Sequence, residues 1–140
     1  MKPAPPVIST RFACNATRRV YPGVMRALVA LLSVSASLHI TVWPEGPGGA
    51  HRAWTLQCSP TGGTLPHRAA ACTKLARLSR PFAPVPTGVA CTQIYGGPQT
   101  ALVTGTFRGR KVRATFNRRN GCETARWNAV GFLFPIAVRF

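Results

Sequence analysis

The chain has 140 residues, with 18 Lys and Arg against two Glu (Glu45 and Glu123) and no Asp, for a formal net charge of +16. That poverty in acids excludes paired-carboxylate acid–base sites, Asp-based Ca²⁺ loops and a Ser-His-Asp triad. Hydrophobic residues, at 46%, supply the core of one domain, while 13 Gly and 13 Pro favour turn-rich β or α+β structure over a helical bundle.

Residues 1–26 carry Lys2, Arg11, Arg18, Arg19 and Arg26 without an acid, and an apolar run from Ala27 to Val34 leads into Ser35-Ala36. Basic, then apolar, then small is the order of a secretory leader. Residues 1–36 are therefore expected to form a leader and residues 37–140 a mature, exported domain beginning at Ser37. Met1 and Met25 both stand as starts. The other reading of the apolar run is a strand or buried helix of the domain itself. It is shorter than the ~20 residues a membrane-crossing helix needs, so no membrane span is expected.

Ser37–Trp43 alternates and is rich in β-formers, so it reads as a strand; Ala53–Cys58 reads as a second, able to pair with it across the loop Pro44–Gly49. Thr64–Ser79 is the one main helix, with Thr64 as cap and Pro66 in its first turn. Ala69, Cys72, Leu75 and Ala76 share a face at helical spacing, with His67, Lys74 and Arg77 opposite. Pro81–Gly88 has no regular pattern. Val89–Tyr95 is extended in character and ends at Gly96-Gly97-Pro98. Ala101–Phe107 and Lys111–Phe116 form a hairpin around Arg108-Gly109-Arg110, and Val130–Phe134 reads as a last apolar strand. The expected fold is α+β: a five-stranded antiparallel sheet, one main helix and two disulfides.

Removing the leader takes Cys14 with it and leaves Cys58, Cys72, Cys91 and Cys122, the even set of a secreted two-disulfide domain. Four cysteines allow three connectivities; the pairing of sequence neighbours closes moderate loops. No CxxC occurs, and His39, His51 and His67 are scattered without ligand spacing, so neither a metal nor a cofactor is expected. A GxSxG elbow is missing too, and the chain is not expected to be an enzyme. Basic residues cluster instead. Arg108, Arg110, Lys111, Arg113, Arg118 and Arg119 crowd the last hairpin and its exit, a surface that can bind polyanions by releasing counterions. The plainer reading is a soluble basic face suited to an anionic cell envelope, with Phe107 and Phe116 assigned to the core by strand alternation.

From Leu38 to Phe134 the chain resembles the Streptomyces subtilisin inhibitor family of secreted serine protease inhibitors. The resemblance rests on the order of four Cys, one short first loop and one longer second. It also rests on Trp54-Thr55-Leu56-Gln57-Cys58, Ala71-Cys72-Thr73-Lys74-Leu75, Cys91-Thr92-Gln93-Ile94-Tyr95, Gly105–Val112 and Asn120-Gly121-Cys122-Glu123. It implies sequential disulfides, Cys58–Cys72 and Cys91–Cys122, and a homodimer formed through the sheet. It also implies an extracellular serine protease as partner and a reactive bond between Gln93 and Ile94, within a binding loop of Thr92, Gln93, Ile94 and Tyr95. Departures from the family pattern touch the target rather than the fold. Thr92 stands where Pro is frequent, Gln93 where Met or Lys is frequent, and Gly96-Gly97-Pro98 replaces an acidic turn. The rival expectation is a basic exported polyanion- or envelope-binding module on the same fold, using Arg108, Arg110, Lys111 and Arg113.

Overall fold

Alternation along one strand decides which side of the sheet becomes the core. In the computed structural model, which describes residues 34–136 and, ahead of them, only Pro3, strand β1 (Ala36–Trp43) buries Ala36, Leu38, Ile40 and Val42. Ser37 and His39 face outward. The rest of the leader expected over residues 1–36, and Cys14 with it, lies outside the described residues. β1 pairs along its length with β2 (Arg52–Cys58) on one side and β4 (Gly97–Phe107) on the other, so it is the centre of the sheet. A two-residue strand, β3 (Gly62–Gly63), flanks β2, and β5 (Arg110–Arg118) flanks β4. The order is β3-β2-β1-β4-β5, every pairing antiparallel.

Two helices cover the inner face: α1 (Arg68–Arg77) and α2 (Gly121–Ala129), the second followed by a 3-10 turn at Gly131–Leu133. Leu75, Trp127, Val130, Leu133 and Phe134 meet Ile40, Leu56, Val103 and Phe116 in one buried cluster. Each such aliphatic or aromatic side chain contributes about 1.5–3 kcal/mol when fully buried. The disulfides pair sequence neighbours: Cys58–Cys72 ties the end of β2 to α1, and Cys91–Cys122 ties the segment before β4 to α2.

Three expectations change. The helix expected over Thr64–Ser79 is shorter, because Thr64 and Leu65 are drawn into the sheet. Both backbone N–H groups donate to the Thr55 carbonyl, at 2.9 and 3.0 Å, and Thr64 Oγ1 accepts from Thr55 N at 3.0 Å. The cap position falls to His67, in the left-handed region with φ 53°, whose side chain makes no capping bond. The strand expected at Val130–Phe134 is a 3-10 turn that continues α2, and the fifth strand is β3 instead. Asn120 Oδ1 accepts from Glu123 N at 2.9 Å, and Glu123 in the first turn pairs with Arg126 one turn on, at 2.6 Å. A capped start with an acid in the positive end of the dipole makes this segment helical. Among the described residues there are therefore two α-helices, where one main helix was expected.

Gly105 lies in mid-β4 with φ +134°, and a Cβ there would overlap the carbonyl oxygen of Ser37 on the neighbouring strand. Neither backbone can retreat, since both belong to the central ladder. Gly105→Ala is expected to lower unfolding stability by about 2–4 kcal/mol, combining strain with the displaced pairing. Urea titration against the parent measures it, and an unchanged midpoint contradicts the close approach.

Candidate functional site

Residues 91–96 have no regular secondary structure, and Thr92, Gln93, Ile94 and Tyr95 are all exposed. Ile94 keeps 70% and Tyr95 65% of its surface open. Two adjacent large apolar side chains left in solvent forgo the burial that other residues of their kind obtain here.

The exposure is not looseness, because the ends are fixed. Thr92 O accepts from Gly121 N at 2.9 Å, and Gly96 N donates to Arg118 O at 2.7 Å. Between these two anchors only Gln93, Ile94 and Tyr95 project. Cys91, one residue before the first anchor, is bonded to Cys122, one residue after Gly121. The supporting stretch Arg118–Cys122 thus runs beneath the segment and is itself held, at one end by β5 and at the other by the Asn120 cap of α2. Gly121 leaves room at the crossing: a Cβ there would overlap the Thr92 hydroxyl, which would have to turn away.

The neighbouring α2 and the start of β4 are held as well. Arg126 Nε donates to Ala83 O at 2.9 Å and its Nη1 to Thr115 O at 3.3 Å, while the guanidinium lies 4.6 Å from the centre of the Phe116 ring. That one side chain joins the Pro-rich stretch to β5 and α2. On the other side, Arg118 is 6% exposed and its Nη1 donates to Gln99 Oε1 at 3.3 Å, buttressing the start of β4. Gln93 folds back in the free protein, with Nε2 donating to Cys91 O at 3.2 Å. Release of that exposed bond would cost about 0.5–1.5 kcal/mol. Beside Tyr95 a cleft of about 210 Å³ is lined by Glu45, Asn117 and Arg119.

The structure brings Thr92, Gln93, Ile94 and Tyr95 into one projecting segment and places Arg108, Arg110, Lys111 and Arg113 elsewhere, at or near the far hairpin. The sequence reading missed the supports: Gly121 and Arg118 through their backbones, Asn120 and Arg126 through their side chains. Asn120 three residues before Glu123 was a readable helix-start signal. The three histidines stay apart: His39 faces outward on β1, His51 lies against Trp43 and His67 begins α1. Among the described residues no three His, Cys, Asp or Glu side chains are grouped, and no helix is long and apolar enough to cross a membrane.

A family model described as subtilisin inhibitor-like matches residues 34–120. The chain is 34% identical over 90 residues to subtilisin inhibitor-like protein 1 of Streptomyces cacaoi, a stretch that spans 61% of this chain and 81% of that protein. Among solved structures, the crystal structure of Streptomyces caespitosus sermetstatin in complex with Bacillus licheniformis subtilisin is similar at a TM-score of 0.46 and 26% identity, covering 74% of this chain and 99% of that one.

Proposed function

Since the chain belongs to the subtilisin inhibitor-like family, which comprises protease inhibitors and not enzymes, we propose that it blocks subtilisin-type serine endopeptidases by offering Gln93–Ile94 as a slowly released, substrate-like bond. The observation that carries this reading is the exposed segment held between two backbone hydrogen bonds and a disulfide. A protease cleft takes extended chain through main-chain bonds and fills one pocket with one side chain. A segment already fixed at Thr92 and Gly96 loses little conformational entropy on docking. If the bond is cut, the Gln93 end stays tethered through Cys91 and the Ile94 end through β4, so religation competes with departure. Gln93 is neutral and of medium size, which suits a roomy apolar-walled pocket better than an acidic one. The test is a titration of subtilisin, trypsin and chymotrypsin with the purified domain. Stoichiometric, tight inhibition of subtilisin is expected, and failure against every member of a broad serine-protease panel overturns the reading.

Secretion is part of the proposal, supported by two disulfides in a small domain, as is a leader over residues 1–36. N-terminal sequencing of exported protein tests the leader. Processing at Ser37 has a structural consequence. Val34 and Ala36 are 5% and 7% exposed, Val34 O accepts from Ser59 Oγ at 3.2 Å, and Ser35 O accepts from Arg108 N at 2.8 Å. A chain beginning at Ser37 is therefore expected to be about 1–3 kcal/mol less stable than one beginning at Val34. Paired thermal melts read the difference, and equal melting temperatures contradict it.

Homodimerisation through the outer face of the sheet belongs to the same proposal, with sedimentation at micromolar concentration as its test. A second reading, a basic polyanion- or envelope-binding module, is favoured by the exposed Arg108, Arg110, Lys111 and Arg113. Salt separates the two readings: polyanion binding falls steeply with ionic strength, and cleft docking far less.

A further inference from the structure

The geometry points to a second binding site, for an anionic polysaccharide, in the groove between residues 79–83 and the tip of the β4–β5 hairpin. The groove has a volume of about 590 Å³ and is lined by Arg80, Phe82, Phe107, Arg110, Lys111 and Val112, with Arg108 across it. That size lies within the ~300–1,000 Å³ of small-ligand sites. Its walls are cationic and its floor apolar. Arg80, Arg110 and Lys111 are exposed, while Phe82 and Phe107 meet edge to face at 5.4 Å.

Arg108 makes the groove rigid. It holds the left-handed turn position at φ 50°, donates to Ala76 O at 3.0 Å and to Ser79 O at 3.3 Å, and lies 4.8 Å from the Phe107 ring centre. The last turn of α1, the following loop and the hairpin tip are thereby one unit. The positive charge is uncompensated by side chains: of the two acids in the sequence, Glu123 is paired with Arg126 and Glu45 lines the cleft beside Tyr95 at the other end.

Cations around an apolar floor match a sugar polymer bearing acidic groups. A pyranose ring has an apolar face to lay on Phe82 and Val112, and its sulfate or carboxylate substituents reach Arg80, Arg110 and Lys111. Nucleic acid fits less well, because successive bases need a series of exposed aromatic faces to stack on, and with Phe107 at 8% exposed the groove offers only the half-buried Phe82. A bilayer surface calls for projecting apolar side chains, whereas these are recessed.

The site is independent of the segment at 92–95. β4 starts at Gly97, paired with Arg118 beside that segment, and ends at Phe107, paired with Arg110 in the groove wall. β5 covers the same span in nine residues, Arg110 to Arg118, while β4 carries an irregularity between Gly97 and Ala101, so the two ends lie about 26 Å apart at the strand rise of ~3.3 Å per residue. On the inhibitor reading proposed above, the protein can hold a glycan and a protease at once.

Heparin oligosaccharide is the probe, titrated calorimetrically into the whole folded domain. Saturable binding is expected, weakening roughly twentyfold between about 50 and about 200 mM salt if the three cations are engaged. Arg110→Glu with Lys111→Glu is expected to weaken it tenfold or more. The charge-matched pair Arg52→Glu with Arg68→Glu, on exposed residues away from the groove, is expected to change it by less than about threefold. Polyphosphate, which carries charge without a ring, is expected to bind at least about tenfold more weakly than heparin. Equal losses in the two double variants, or equal affinity for polyphosphate, overturn the site. Binding by duplex DNA as tight as by heparin overturns the glycan assignment. None of these readouts uses a protease, so they stand whether or not the domain inhibits one. If the domain inhibits, saturating heparin should leave its inhibition constant unchanged, and competition refutes the separation of the two ends.

Discussion

On the proposed inhibitor reading, replacing Cys91 and Cys122 together by Ser is expected to turn the protein from an inhibitor into a substrate. The bridge spans 31 residues, and losing it frees chain entropy in the unfolded state equivalent to about 3–4 kcal/mol. The local effect is larger than the global one. In the parent, a cut at Gln93–Ile94 leaves the Gln93 end tied two residues back through Cys91 and one residue back through the Thr92–Gly121 hydrogen bond. Without the disulfide a single exposed backbone bond, contributing about 1 kcal/mol, remains near the new terminus. The Gln93 end then leaves the cleft faster than it religates. The inhibition constant should rise at least about a hundredfold, the equivalent of about 2.7 kcal/mol, and inhibition should decay with time as cut protein accumulates. The sheet is secured independently by Cys58–Cys72 and the core cluster, so the variant should still fold. Progress curves with mass spectrometry of the products decide it; a variant that inhibits as durably as the parent removes the disulfide from the mechanism.

The second large effect lies at Gln93 itself. In protease complexes a few buried side chains carry most of the energy, and the pocket-filling one is foremost. Gln93→Asp drives an unpaired carboxylate into a pocket that offers it no cation, at about 3 kcal/mol or more; subtilisin inhibition should weaken by two orders of magnitude or more. Gln93→Lys supplies the cation an acidic pocket requires, so trypsin inhibition should rise by a similar factor. Both should melt within about 0.5 kcal/mol of the parent, as expected for exposed positions. Inhibition constants equal to the parent's for every protease place the reactive bond elsewhere.

How much of this was legible follows from where each signal resides. The core face of β1 could be read because alternation of Leu38, Ile40 and Val42 is a local property. The hairpin tip could be read because Arg108-Gly109 occupies two positive-φ positions, φ 50° and 77°, of the kind a tight turn demands. The helix α2 is hard to read because the apolar residues after it have the composition of a strand. Trp127, Val130 and Leu133 recur every third residue, a helical spacing hidden by the run Val130–Phe134. Thr64 resembles a cap by type alone, because its partner, Thr55, lies nine residues back on β2. The projecting residues 92–95 were located by motif, whereas the clamp beneath them depends on backbone groups of Arg118 and Gly121, which carry no trace in residue type. Gly121 is the partial exception, a residue without a Cβ where two chains cross.

The two borders of the sheet have a consequence for behaviour at high concentration. A border strand with open hydrogen-bonding groups is a template on which another copy can stack, the first step to fibres. One border is made by β3, two residues long, together with the start of β2 that β3 does not cover, which begins at the exposed Arg52. The other is β5, whose Lys111 and Arg113 point to solvent on alternate residues. A second β5 laid alongside would bring cations against cations, with no acid on either strand to relieve them. The positive charge on β5 thus acts as a guard against cross-β stacking along that border.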